Sequence, residues 1–462
     1  MTAPEEGLSS GDKLEFVLAN ELLWELGEAA PAKAPGTPGA PRQYSEWVWY
    51  LYDAAVSIYL SARKGAAELS SAWPVVIAAS KAQYPDHPEM WAPAEPPSRH
   101  HWQYAKKRLR LEPILRESIT TFEATSVMQA REMGIANPDL GSVSHPDALN
   151  ALTGDGKVIT PLYRAKRRTP IVDKETAEIL GYKKADPTAL LHVEGGGHPA
   201  YGNKVVMIAG RTPDWHGRMI LSFDKVATKS GEAQVAIDCV ERIRWRLPGV
   251  QTLIYDGAIR GVHVRRLLHD LGLIPISPPT AAKAETKETA REEKVAFIEA
   301  RTNALGEQIS LYAFGSQLGV GEFDADGEET FHPLTRLAIK KRPNGDGTFR
   351  WYGAYRLPDH FGGETILVRA DTTDDDVNRG VNRSENYRLI PPGDPDYDAL
   401  YPLRSDIEAN NRQLEDTLWI GRAHSVGADA QLLDLLGYAL VYNSVAIGLA
   451  RHRASSQAAA AA

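Results

Sequence analysis

The chain has 462 residues, 43% of them hydrophobic and 24% charged, enough to bury cores in about three domains and too apolar for a disordered or fibrous protein. Its one cysteine, Cys239, excludes an internal disulfide framework and any thiolate-based metal cluster, and it fits a reducing, cytoplasmic setting. With 52 Lys+Arg against 60 Asp+Glu, a formal charge of −8, the balance over the whole chain speaks against a polyanionic partner unless charge is segregated along the sequence.

The opening stretch MTAPEEGLSSGDKLEF has neither a basic nor an apolar segment of the kind that directs export. Residues 1–43 read as a flexible leader and linker: one short helical run, KLEFVLANELLWELG, followed by APAKAPGTPGAPR, which cannot sustain a helix. From Tyr44 to Ala66, apolar and aromatic residues recur at three- and four-residue steps without a breaker, predicting one largely buried helix. More helix follows after Pro97 as far as Gly134, so 44–145 is expected to be a helical domain. It carries the basic cluster Lys106, Lys107, Arg108 and Arg110.

Beyond Gly154 the texture turns to short β-rich runs (KVITPLY, ALLHVEGG, NKVVMIAG, RMILSFDKV). Strand and helix then alternate through GEAQVAIDCVERIRWRL, VQTLIYDG, VHVRRLLHDLG and LIPISPP. Strands first and alternation afterwards predict a mixed α/β sheet over 146–279. Residues 280–400 begin with the charged run AAKAETKETAREEK and continue as short strands with turn signals at 344–347 (NGDG) and 362–363 (GG), a β-rich insertion. Helix returns over 401–453, and the alanine-rich 454–462 is expected to be disordered. The apolar run Leu435–Ala450 is uncharged, but it is shorter than the roughly 20 residues a membrane span requires and contains Asn443, so it reads as a buried helix.

The chain has no P-loop, G-x-S-x-G elbow or H-E-x-x-H helix. What remains are carboxylates in suggestive places. Asp155 lies in LTGDGKV, where G-D-G also reads as a turn. Asp256 closes the strand TLIYDG, beyond which functional groups of open α/β sheets gather, although it also suits a helix N-cap. Glu408 lies in the helix YPLRSDIEANNRQLEDTLW, where an acidic residue also reads as part of a solvated face. His263 and His269, six residues apart, would face different ways on one helix.

Tyr401, Arg404 and Glu408 have the spacing Y-x-x-R-x-x-x-E. This resembles the carboxy-terminal signature of a group of bacterial insertion-sequence DDE transposases with an RNase H-like core. The segments IYDGAIRGVHVRRLLHDLGLIPI and LRSDIEANNRQLEDTLWIGRAHSVGADAQLLDLLGYALVYNS are similar to actinobacterial members of the group. The signature ordinarily continues to a Lys seven residues after the Glu, where this chain has Glu415. The resemblance covers roughly residues 150–453. It implies an α/β fold: an RNase H-like mixed sheet flanked by helices, with a β-rich insertion and a helical N-terminal domain. It makes Asp155, Asp256 and Glu408 the catalytic acids and the ligands of two Mg²⁺ (or Mn²⁺) ions, with Glu194 in LHVEGGG and Asp224 in LSFDKV as other candidates for the first acid. It implies cleavage of transposon-end DNA and strand transfer into target DNA by a homodimer on paired ends, in the bacterial cytoplasm at the nucleoid and without a membrane. A domesticated relative that binds DNA without cutting it, or a nuclease on the same core, would share these features.

DNA contacts are expected from Tyr401, Arg404 and Arg260, from Trp351 stacking on a base unless it packs in a sheet, and from the clusters Lys106–Arg110 and Arg164–Arg168, including Arg167 and Arg168. Charge is indeed segregated: residues 1–100 carry seven basic against 13 acidic side chains, and 101–184 carry 14 against 10. The whole-chain charge therefore says little about DNA.

Overall fold

Ser9, Asn20, Ser61 and Ser98 each accept a backbone N–H at the head of a helix and fix where four of the first helices start. In the computed structural model, which describes residues 7–30, 42–194, 197–214, 216–279, 295–323, 329–418 and 420–461, these helices are α1 (Ser10–Leu18), α2 (Glu21–Ala29), α3 (Trp47–Tyr59), α4 (Ala62–Gln83), α5 (Arg99–Leu109) and α6 (Glu112–Glu132). The one short helical run expected within the leader, 13–27, is two helices spanning 10–29. Val17, Leu22, Leu23 and Leu26 form a fully buried apolar face that a solvated leader could not keep. The one helix expected from Tyr44 to Ala66 is two, because Leu60 takes a left-handed φ of 61° and Ser61 caps α4.

Then come β1 (Ala151–Ile159), β2 (Pro170–Val172), β3 (Ile179–Tyr182), β4 (Leu190–Val193), β5 (Pro199–Arg211), β6 (Arg218–Val226), α7 (Glu232–Arg244), β7 (Thr252–Ile254), α8 (Val262–Arg266) and β8 (Ile274–Ile276). The insertion contributes β9 (Val295–Thr302), β10 (Gln308–Phe314), β11 (Gln317–Phe323), β12 (Glu329–Pro333), β13 (Thr335–Pro343), β14 (Phe349–Arg356) and β15 (Thr365–Arg369). Its charged opening run at 281–294 falls outside the described residues. Helices α9 (Arg404–Thr417) and α10 (Ala428–Ala461) close the chain. The alanines expected to be disordered continue α10, in keeping with their high helix propensity. A mixed sheet built from β1, β5, β6, α7, β7, α8 and β8 in that order, followed after an insertion by a helix, is an RNase H-like core, as expected.

The chain divides into two units, each discontinuous in sequence. The first comprises 1–134, 156–243 and 408–462. Here β5 pairs antiparallel with β4 and β6, and α10 packs on α1, α3, α6 and β6. Helix α10 is long and apolar enough to cross a membrane, yet 78% of its most apolar window is buried inside the protein, which makes it a core helix. Two contacts seat it. A Cβ on Gly437 would lie 2.8 Å from the backbone of Asp53, so only glycine lets α10 approach α3 this closely. Asn443 accepts from the N–H of Ile220 (2.9 Å) and donates to the carbonyl of Ile220 (2.7 Å) and to Ser126 (3.0 Å), so the polar residue in the apolar run is fully bonded across to β6 and α6.

The second unit comprises 135–155 and 244–407. The first half of β1 pairs in parallel with β7, and β7 with β8. The insertion forms a four-stranded antiparallel sheet, β12-β11-β10-β9, and a three-stranded one, β13-β14-β15. The two turn signals fall where expected: 344–347 joins β13 to β14, and Gly362 and Gly363, both at positive φ, lie between β14 and β15. Arg383, buried, pairs with Asp376 (2.5 Å) and Glu299 (2.9 Å) and ties β9 to the segment after β15.

Candidate active site

Asp155 is inside a strand and not in a turn. β1 runs from Ala151 to Ile159 with its first four residues buried, and Asp155 is the first partly exposed one. The parallel register aligns Thr153 with Ile254. Two residues further on, on the same face of the pleat, stand Asp155 and Asp256. Their carboxylate oxygens come within 4.8 Å of one another. Asp256 does not cap α8, whose N-cap is Gly261 with no side-chain bond. Its Oδ1 instead accepts from the N–H of Ala258 at 2.8 Å, a local turn that holds the carboxylate just past the strand end.

Arg404 stands beside this pair, its Nη2 3.8 Å from Oδ1 of Asp155. Pro402 keeps Tyr401–Leu403 in a short 3₁₀ turn, so α9 begins at Arg404. Tyr401 is therefore on the approach to the helix, stacked on Tyr397 with ring centroids 5.0 Å apart. Glu408 is exposed, one turn along α9 from Arg404, about 6 Å of helix rise. Within the first unit, Glu415, which occupies the position of the expected Lys, pairs with Lys157 of β1 at 2.5 Å.

The sequence reading missed one carboxylate. Glu232 opens α7, pairs with Lys204 of β5, and occupies the space beside Gly156, where a Cβ would come 2.4 Å from its Oε1. The second glycine of G-D-G thus admits an acidic side chain against the strand at the residue after Asp155. In sequence Glu232 is one acidic residue at a helix start, a position the helix dipole favours anyway, so nothing there distinguishes it.

Other candidates fall elsewhere. Asp224 is held by Arg116 (2.9 Å) and Arg242 (3.4 Å), within a cluster where Arg242 also grips Glu123. Glu194 follows β4, its N–H bonded to the carbonyl of His198, which precedes β5. Trp351, offered as a base-stacking residue, is fully buried and donates its indole N–H to the carbonyl of Leu268 at 2.7 Å, so it is a core residue of the insertion. Lys106, offered as a phosphate contact, is buried between Asp53 (3.3 Å) and Asp434 and is committed to them. Arg108 is paired with Glu46 at 2.6 Å, whereas Lys107, Arg110 and Arg260 are exposed. Arg167 and Arg168 are exposed at the base of the β2–β3 hairpin, Arg168 lying 4.7 Å over the ring of Tyr182.

The donor set suits a hard divalent cation, because Asp155 and Asp256 present only oxygens. Thiolate chemistry is excluded, since burial pushes the Cys239 thiol up to about 12.

Residues 214–444 match the family model described as the transposase DDE domain. The chain belongs to this family. The match takes in Asp224, Glu232, Asp256, Arg404 and Glu408, and Asp155 precedes it. No curated protein matches the chain. A transposase-type function follows, and with it the DNA binding and divalent-metal use that the family implies.

Proposed function

We propose that this transposase cuts DNA at the ends of its own element and joins the freed ends to target DNA, with Asp155, Asp256 and Glu408 as its catalytic acids. The observation that carries the reading is the pair Asp155 and Asp256 at adjacent parallel strands, with Arg404 at its side. Two Mg²⁺ ions bound by these acids, with Mn²⁺ as a substitute, would polarise the scissile phosphate and promote ionisation of the attacking hydroxyl.

The residues themselves do the rest. The β1–β7 register fixes two carboxylates and the local turn at Ala258 orients the second; Glu408, one turn beyond Arg404 on α9, is the third acid of this reading. Arg404 leaves its carboxylate partner for a phosphate oxygen, the bidentate contact that guanidinium geometry favours. Water attacks phosphorus in line, the P–O3′ bond breaks, and the 3′ oxygen leaves as a hydroxyl. That hydroxyl then attacks a target phosphodiester, giving its proton to solvent and displacing the target strand's own 3′ oxygen, with no covalent enzyme intermediate. Glu232 is a further acidic candidate, held ready by Lys204. Exposed Lys107, Arg110, Arg167, Arg168 and Arg260, together with Tyr401, guide the DNA backbone. A homodimer would hold two ends together, in the cytoplasm at the nucleoid.

The test uses duplex DNA from the two flanks of the gene. Asp256→Asn should retain binding to this DNA and lose Mg²⁺-dependent nicking by about 10²–10³-fold, the scale of removing one group that acts on the transition state. Nicking at the wild-type rate in Asp256→Asn would overturn the assignment.

A further inference from the structure

The insertion contains a second cluster of possible metal ligands that has no part in the chemistry above. Glu322 lies on β11 and His332 on β12, where the antiparallel register sets His332 opposite Val320. Glu322 is two residues from Val320 and therefore on the same face, diagonal to His332. His332 Nε2 is 3.0 Å from Oε2 of Glu322. His360 joins them from the short 3₁₀ turn Asp359–Phe361 between β14 and β15, its ring centroid 5.2 Å from that of His332. Each of the three offers one ligand atom, all within 4.8 Å of one another. The ring of Phe361 lies against both imidazoles, 5.4 Å from His332 and 4.3 Å from His360, which limits how far either can swing.

The geometry points to a binding site for a borderline divalent cation, with Zn²⁺ as the fitting occupant, held by His332, His360 and Glu322. Two imidazoles and one carboxylate with an open fourth position form a zinc donor set. With bonds of about 2.0–2.1 Å, neighbouring tetrahedral ligands stand about 3.3 Å apart, close to the separation already present between His332 and Glu322. The nitrogen donors separate this site from the all-oxygen pair Asp155 and Asp256, since imidazole selects zinc over magnesium.

The placement also says what the cation would do. Glu322 and His332 belong to the four-stranded sheet, and His360 to the connection inside the three-stranded one, so the ion would clamp the two sheets of the insertion at a point where they share no strand.

The test is a Zn²⁺ titration of full-length protein, stripped with EDTA and desalted, in competition with a chromophoric chelator. It is run in an Asp155→Asn/Asp256→Asn background so that the carboxylate pair contributes nothing. One equivalent of Zn²⁺ should bind and raise the unfolding temperature, and a large excess of Mg²⁺ should not displace it. His332→Ala and His360→Ala should each weaken binding roughly tenfold or more. Should His332→Ala fold poorly, the exposed substitutions His360→Gln and Glu322→Gln carry the test, and both should still weaken binding. Absence of Zn²⁺ binding in the background protein, or unchanged affinity in His360→Gln and Glu322→Gln, would overturn the site. Either result leaves the nicking assay unaffected, because that assay reads Asp256.

Discussion

Without a cation, Asp155 and Asp256 set two like charges side by side, and the fold must hold them there. Their oxygens lie within 4.8 Å. At the effective dielectric of about 20 that suits partly exposed pairs, such charges repel by about 3 kcal/mol. Arg404, 3.8 Å from Asp155, offsets part of this, leaving roughly 1–3 kcal/mol stored in the metal-free protein. Asp256→Asn removes the charge and keeps the shape, since the amide oxygen can still accept from Ala258. The substitution is therefore expected to stabilise the metal-free protein by roughly 1–3 kcal/mol, a rise of a few degrees in unfolding temperature. Wild type should be stabilised when the cation is supplied, by about 2.7 kcal/mol at a hundredfold excess over its dissociation constant, and the variant much less. Calorimetric melts of both proteins, in EDTA and in Mg²⁺, give the four values needed. The decisive feature is the sign, because loss of nicking should accompany a gain in metal-free stability. If Asp256→Asn melts below wild type in EDTA, the two carboxylates are not held against each other and the reasoning fails.

Two further expectations concern residues that the fold diverted from DNA. In the buried cluster of Asp53, Lys106 and Asp434, two carboxylates share one ammonium. Burial first, and then Asp434, raise Asp53 to about 6 against the pull of Lys106. A raised folded value means that the contribution of this group is complete below about pH 4 and is lost as pH rises through 6. Asp53→Asn should therefore gain stability relative to wild type between pH 4 and 7, by up to about 3 kcal/mol, in urea unfolding at the two pH values; a difference independent of pH would refute this. Trp351→Ala should lower stability by about 3–5 kcal/mol, because it empties a core position and orphans the carbonyl of Leu268. Circular dichroism melts would show this, whereas an exposed stacking residue would melt as wild type.

Much of the core was legible from pattern alone. Strand runs followed by alternation announced the mixed sheet, and the end of TLIYDG set Asp256 just past a strand, where the structure has it. Asp155 was harder to read. Gly-Asp-Gly has the composition of a turn, and only the presence of Glu232 in the space of a missing Cβ explains why a strand carries glycine there. Glu232 itself left no signature, because its meaning depends on Lys204 and Gly156, 28 and 76 residues upstream. Lys106 looked like its exposed neighbours, Lys107 and Arg110. What separates them is which side of α5 meets Asp53 and Asp434, and the latter lies more than 300 positions away. The helical run at 13–27 was assigned to a leader because its buried face is completed by α3, α6 and α10, and not by anything nearby in sequence.

That dependence on α10 bears on how the chain is made. The helix that fills the centre of the first unit is synthesised roughly 400 residues after α1, which it touches. At typical synthesis rates of 5–20 residues per second, the apolar faces of α1, α3 and α6 wait roughly 15 seconds or more for their partner. The second unit's insertion, whose hairpins join neighbours in sequence, can pair its strands during that interval. An interrupted synthesis that stops before Ala428 leaves those faces with nothing to cover them. Such fragments are substrates for chaperones and proteases, so the order of elements along the chain makes a partial copy of this protein short-lived.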